Sequence, residues 1–476
     1  MPSIDKSSSE PYYLQVFSQI ADGITSGLYP AGKKLPSIRK CARDLGVSNT
    51  TIEYAYQKLT AEGYISARRG SGYTVCAISD ASANPMERYT PEHREAIAEL
   101  MRAAHTTAKK PRYDFAYDAV DQSIFPFTTW ARISREVFFV EGSEGARLYN
   151  DPQGLYALRQ QIARHVADEH SIACVPEQIL VMPTTRTLVA AIAGLLDARE
   201  TRFVMENPGY DEVARLLRAQ GFGVSPLSVE PFPSWKDAQK TLKGANVVFT
   251  TPACQFPTNR PMPSEFREQL VDWAERTGAY IIDDEYGWEL QSGIIRTPPL
   301  ATLDHNGRII TLGTFSNTFT PAVSLSYAVL PPRLALEWLE RNRDSHPQVP
   351  WQTQAAMALF MDEGHWRAHL RKMRTAMARK CKRLLDAIDS HMGSEVDVIS
   401  NPSSLFALIK THDGRAEEDL VSSAAAVGVR VYPTDLYWFQ RVPDDWRNVL
   451  VGFAGIAEND IEPGIEALSR AWGFDQ

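Results

Sequence analysis

The chain has 476 residues, of which 44% are hydrophobic, 23% charged and 10% aromatic, a balance that excludes disordered, collagenous and coiled-coil chains. Its longest apolar run, Leu188 to Leu196, is far below the ~20 residues of a membrane helix, and Met1–Glu10 shows no basic start with an apolar core. Five cysteines (Cys41, Cys76, Cys174, Cys254, Cys381) are odd in number and scattered without metal-ligand spacing, so the expectation is a reduced, cytoplasmic protein with no membrane partner and no metal site. Charge is unevenly spread. Residues 1–76 hold nine Lys and Arg against six Asp and Glu, whereas the whole chain carries −8. A small basic head on a large acidic body predicts that only the head meets a polyanion.

In chain order, Tyr12 to Ser26 reads as a helix with Phe17, Ile20, Ala21 and Ile24 on one face, ended by Gly27. Ser37 is placed to cap a short helix through Leu45, stopped by Gly46, and Ser48 to cap a third whose buried face is Ile52, Ala55, Tyr56 and Leu59. Tyr64–Ser66 and Tyr73–Val75 read as strands joined by a turn at Arg68–Gly72. Helices followed by a hairpin form a winged helix-turn-helix, which reads duplex DNA through the first residues of its second motif helix. Those residues are Ser48, Asn49, Thr50 and Thr51; Ser37 and Arg39 on the preceding helix face phosphates, and Arg68 and Arg69 reach phosphates or the minor groove from the hairpin tip.

Residues 77–112 mix Ala, Ser, Pro, Glu and Lys without an apolar period, apart from a helical stretch Glu95–Ala104, and read as a linker. From Tyr113 onward helices alternate with short apolar runs: Ile179–Met182, Arg202–Met205, Asn246–Thr250, Tyr280–Ile282 and Ile309–Leu312. That alternation predicts a mostly parallel sheet covered on both faces. No HExxH pair, Gly-x-Ser-x-Gly turn or P-loop is present.

Leu35-Pro36-Ser37-Ile38-Arg39, Leu45-Gly46-Val47-Ser48, Gln57-Lys58-Leu59 and Glu62-Gly63-Tyr64 closely resemble the GntR-type winged helix, with Asn49 where that family often has Arg. Further strings resemble fold-type I aminotransferases in the version fused to such a head, the MocR family. They are Tyr149-Asn150-Asp151-Pro152-Gln153-Gly154, Glu206-Asn207-Pro208-Gly209-Tyr210, Thr251 to Thr258, Asp283-Asp284-Glu285-Tyr286 and Gly313-Thr314-Phe315-Ser316-Asn317. The resemblance implies an α+β winged-helix head over 1–76, a linker over 77–112, and an α/β aminotransferase-like body over 113–476 with a small C-terminal α/β subdomain. It further implies pyridoxal phosphate as cofactor, a head-to-tail homodimer, a DNA operator and a small-molecule effector.

Within that resemblance Asp284 stands where a carboxylate meets the pyridine nitrogen, Tyr286 where a tyrosine contacts the ring, and Tyr210 where an aromatic stacks on it. The reactive lysine is replaced by Asn317, which cannot form an imine, and the phosphate-clamping arginine by Ser324. The glycine-led phosphate turn reads Pro183-Thr184-Thr185, a histidine has become Cys254, and an arginine after the Pro-Gly-Tyr string is Glu212. Losing two charge-assisted bonds, each ~1.5–3 kcal/mol, and the covalent link is expected to weaken cofactor binding by several orders of magnitude. Thr184, Thr314, Ser316 and Ser324 then remain for a smaller or less anionic ligand. The leading reading is a transcriptional regulator that is not an enzyme. Two others stand beside it: a regulator holding pyridoxal phosphate non-covalently or as an external aldimine, and an active aminotransferase.

Overall fold

The computed structural model describes residues 4, 11–68, 72–77, 90–104, 110–140, 151–291, 297–399, 405–439 and 442–474. The chain divides into two compact units, Met1–Lys110 and Pro111–Gln476.

In the first unit, α1 (Tyr12–Thr25), α2 (Ile38–Leu45) and α3 (Asn49–Ala61) pack on one another, followed by the hairpin β1 (Ile65–Arg68) and β2 (Gly72–Val75). The caps fall where side-chain chemistry places them. Ser37 opens α2, Gly46 closes it at φ 67° in the left-handed region that glycine adopts freely, and Ser48 opens α3. The buried face of α3 is Ile52, Ala55, Tyr56 and Leu59, as the helical period requires. On α1 Val16, Ile20, Ala21 and Ile24 are buried; Phe17 is only half-buried, lying edge-on to Tyr64 and under the Lys58 ammonium. Residues 32–35 add to the hairpin through Gly32 N–H to Val75 O, Val75 N–H to Lys33 O and Leu35 N–H to Tyr73 O, each 2.9 Å. Helix α4 covers Pro91–Ala104, four residues longer at its start than the stretch read from the sequence.

The second unit opens with the short strand β3 (Tyr113–Asp114) and is built on a seven-stranded sheet. Its strands are β4 (Ile179–Met182), β5 (Arg202–Asn207), β6 (Gly223–Ser228), β7 (Val247–Thr250), β8 (Tyr280–Asp284), β9 (Ile309–Thr314) and β10 (Ser326–Val329), ordered β4-β10-β9-β8-β7-β5-β6. Only β10 runs against its neighbours. The middle strands are apolar on both faces, with Phe203, Val204, Val247, Val248, Ile281 and Ile282 all buried, which is why they read as continuous hydrophobic runs. Strands β6 and β10 escape that signal: β6 alternates and carries Pro226, and β10 opens on the polar Ser326 and Tyr327. A second sheet of four antiparallel strands, three of them Val396–Val398, Phe406–Thr411 and Asn448–Gly452, forms the C-terminal subdomain.

The string Asp151–Gly154 is structural. Buried Arg159 pairs with Asp151 and donates to Gly154 O at 2.9 Å, and a Cβ on Gly154 would lie 2.7 Å from that of Val181. Tyr149 and Asn150 lie outside the described residues. The 28-residue helix His365–Met392 joins the two sheets. Its Lys380, 1% exposed, pairs with Asp121 at 2.7 Å and donates to Ala454 O at 3.1 Å and Ile456 O at 2.7 Å. Asp121→Ala strands that ammonium in the interior and is expected to cost the second unit about 3–5 kcal/mol, read as a lower denaturant midpoint.

Candidate functional site

Two regions carry the polar groups that function requires, one in each unit. In the first, the Ser48 hydroxyl accepts from Thr51 N–H at 3.1 Å and shares a 2.8 Å hydrogen bond with the Thr51 hydroxyl. Ser48 and Thr51 are therefore engaged as a cap, while Asn49 and Thr50 are exposed on the first turn of α3, the part of a recognition helix that meets base edges. Ser37 caps α2 through Lys40 N–H at 3.3 Å and leaves Arg39 exposed beside it. Arg68 closes β1 opposite Gly72. Arg69 lies outside the described residues.

In the second unit a cavity of about 340 Å³ opens at the carboxyl ends of the sheet strands, where open α/β sheets bind ligands. From the expected set it is lined by Thr184, Thr185, Tyr210 and Asp284, and by Tyr286, Thr314, Ser316 and Asn317. Two expected members are corrected. Cys254 is buried outside the lining, behind Tyr286, whose hydroxyl donates to its sulfur at 3.7 Å. Ser324 is exposed in the left-handed region at φ 45°, its hydroxyl turned back to Pro321 O at 3.3 Å, because β10 begins only two residues later.

Each lining group is held by its strand end. Thr184 caps the helix Thr185–Ala193: its Oγ1 accepts from Thr187 N–H at 3.2 Å and its own N–H donates to Thr187 Oγ1 at 3.0 Å. Asn317 Nδ2 donates to Tyr286 O at 3.1 Å, fixing the amide against the next strand end. Glu206, at the end of β5, accepts from the Thr250 and Thr251 hydroxyls and from Thr251 N–H. Asp284 is different: it is 5% exposed, and its Oδ1 has no hydrogen-bond partner. Burial, with Asp283 and Glu206 adding repulsion, pushes its carboxyl up to about 7.

Sequence reasoning missed Tyr117, Asp118 and Phe406, which arrive from distant segments with no local signal, and Phe256, which lies within the Thr251–Thr258 string but was not singled out. It also missed Arg186, although this residue directly follows Thr185 on the helix that borders the cavity. Arg186 pairs with Glu212 at 3.0 Å, and Glu212 accepts from the Tyr210 hydroxyl at 2.8 Å. Elsewhere in this unit His165, His170 and Glu289 bring their ligand atoms within 4.8 Å of one another, a grouping that the sequence spacing hid. Both imidazoles lie on one oxygen of Glu289, at 2.5 and 3.0 Å, and hold its carboxyl well below the usual range against the opposing effect of burial. The Arg374 guanidinium lies 3.5 Å from the other oxygen.

The orphaned carboxylate has a stability signature. The folded state keeps the Asp284 proton from the ordinary 3.8 up to about 7, so over that interval the unfolded chain binds fewer protons and stability falls as pH rises. Asp284→Asn removes this loss. The variant is expected to raise the melting temperature more at about pH 8 than at about pH 4, measured by thermal unfolding at both.

The description "Bacterial regulatory proteins, gntR family" matches residues 12–75 and "Aminotransferase class I and II" residues 114–467. The uncharacterized HTH-type transcriptional regulator YhdI of Bacillus subtilis is 32% identical over 99% of this chain and 98% of its own. The probable rhizopine catabolism regulatory protein MocR of Rhizobium meliloti is 28% identical over 98% of this chain and 95% of its own. Among solved structures, the α-aminoadipate aminotransferase LysN of Thermus thermophilus, complexed with N-(5'-phosphopyridoxyl)-L-leucine, shares the fold at a TM-score of 0.68 and 21% identity, covering 79% of this chain and 94% of that one. The chain thus belongs to the MocR-type regulators, in which a gntR-family winged helix is fused to an aminotransferase class I and II domain.

Proposed function

We propose that this chain is a cytoplasmic, operator-binding transcriptional regulator whose aminotransferase-like body senses a small molecule and dimerises, and is not a transaminase. In this reading residues 1–76 are the DNA-binding head, 77–112 the linker and 113–476 the effector body. The observation that carries it is Asn317: the position corresponding to the reactive lysine holds an amide bonded to Tyr286 O, and no lysine stands among the residues lining the cavity. Pyridoxal phosphate, which the fold implies, meets a matching carboxylate in Asp284 but no amine, and the lining cation Arg186 is already taken by Glu212. The residues do not fit it as a resident cofactor. Among the described residues no helix is long and apolar enough to cross a membrane.

A homodimer, arranged head to tail as in the family, places two heads on paired half-sites and multiplies the phosphate contacts. Support for self-association comes from Phe127, Phe138 and Phe139 on the helix Phe127–Val140, all at least half exposed in the single chain.

Arg39→Ala is expected to weaken binding about equally on any duplex and to flatten the slope of log affinity against log salt by about one; changes at Asn49 or Thr50 alter sequence preference instead. Fluorescence anisotropy across a salt series separates the two. Incubation of the purified protein with pyridoxal phosphate and a panel of amino acids is expected to give no keto-acid product, and measurable turnover would overturn the non-enzyme assignment.

A further inference from the structure

The exposed start of α3 carries a charge of the wrong sign for a polyanion. The helix turns Ile52, Ala55, Tyr56 and Leu59 into the core. Two of its other residues lean on α1: the Tyr54 ring lies 6.2 Å from that of Tyr13, and the Lys58 ammonium sits 4.9 Å over Phe17. On the other flank the Tyr56 hydroxyl donates to Pro36 O at 3.0 Å, just ahead of α2. The helical sector between these two supports stays open, and over the first turns it holds Asn49, Thr50 and Glu53, all exposed. Glu53 follows Asn49 by four residues and Thr50 by three, so the three side chains form one patch.

Glu53 is uncommitted within the head. Among the described residues no hydrogen bond or ion pair engages its carboxylate, and the single cation of α3, Lys58, is taken by Glu62 at 3.0 Å. A free carboxylate on a face that approaches phosphates is repelled by them and, having acceptors alone, bonds none of them. It costs affinity on every duplex and recovers it only where the DNA offers a donor.

Major-groove edges offer two such donors, the N4 amine of cytosine and the N6 amine of adenine. Adenine sets the N7 lone pair beside its amine, which repels the second carboxylate oxygen. Cytosine's own edge presents a donor and no acceptor. Guanine, through N7 and O6, and thymine, through O4, present acceptors.

We infer that Glu53 is a specificity-determining residue that accepts from the N4 amine of a cytosine in each operator half-site and repels the other bases at that position. Its selectivity comes from the penalty as much as from the bond. The inference rests on operator binding by the head, proposed above, and names a base that its site must contain.

Selection by the full-length protein from a pool of randomised duplexes, followed by fluorescence anisotropy on the recovered sites, tests it. The wild-type sites are expected to show one cytosine column per half-site, and replacement of that C·G pair by T·A is expected to weaken binding about tenfold or more. Glu53→Ala is expected to flatten this column, leave the others in place and strengthen binding to a random duplex about threefold. Glu53→Gln, whose amide both donates and accepts, is expected to move the column to adenine. Asp22→Asn removes the same charge from an exposed position on α1 and is expected to leave every column as it stands. Circular dichroism is expected to be unchanged in all three variants.

Recovered sites without a cytosine column, a cytosine column that survives Glu53→Ala or Glu53→Gln, or its loss in Asp22→Asn would each overturn the inference. A wild-type protein that recovers no duplex overturns operator binding and the inference with it, whereas a recovered site indifferent to Glu53 overturns the inference alone.

Discussion

Three successive carboxylates, Asp283, Asp284 and Glu285, leave the dry end of one central strand, and what satisfies each sets the character of the second unit. Asp283 accepts Leu300 N–H at 2.9 Å, and Arg267 nearby lowers the cost of its charge. Glu285 is driven well up by burial and by the neighbouring Asp283. Of the three, Asp284 lines the cavity, with its Oδ1 unpartnered. Burial of this kind is tolerated because the sheet around it supplies the stability, with Ile281 and Ile282 fully covered just before the turn.

Much of this was legible from residue types. In the first unit, Ser37, Gly46 and Ser48 announce helix ends because their side chains or backbone freedom act on their own immediate neighbours. Strands β5, β7, β8 and β9 were found because double burial leaves an uninterrupted apolar run. Strand β10 was not, since its four residues pair in the reverse sense and owe their place to β4 and β9 rather than to a period of their own. The same division holds at the cavity. Strand-end residues such as Asp284 and Asn317 were reachable from their motifs, while Tyr117 and Phe406 come from opposite ends of the body. Ser324 was misplaced because counting residues along a motif says nothing about which way a turn points its side chain.

The helix His365–Met392 gives the second unit its internal continuity. His369 pairs with Thr318 O at 2.7 Å, one residue past Asn317. Arg374 donates to Glu289 O at 2.8 Å and pairs with Glu169 at 2.9 Å, linking the Glu289 charge cluster to the helix Tyr156–His170. Two turns further on, Lys380 clasps Asp121 and the segment after Asn448–Gly452. One rigid element therefore ties together the segment after Asn317, the Glu289 charge cluster and the C-terminal sheet.

The amide of Asn317, held to the Tyr286 carbonyl, has a temporal consequence. With no covalent tether available, a guest's residence is governed by dissociation alone, and the filled fraction tracks the free concentration downward as readily as upward. In the sensing role proposed above, a pocket without such a tether resets whenever supply falls.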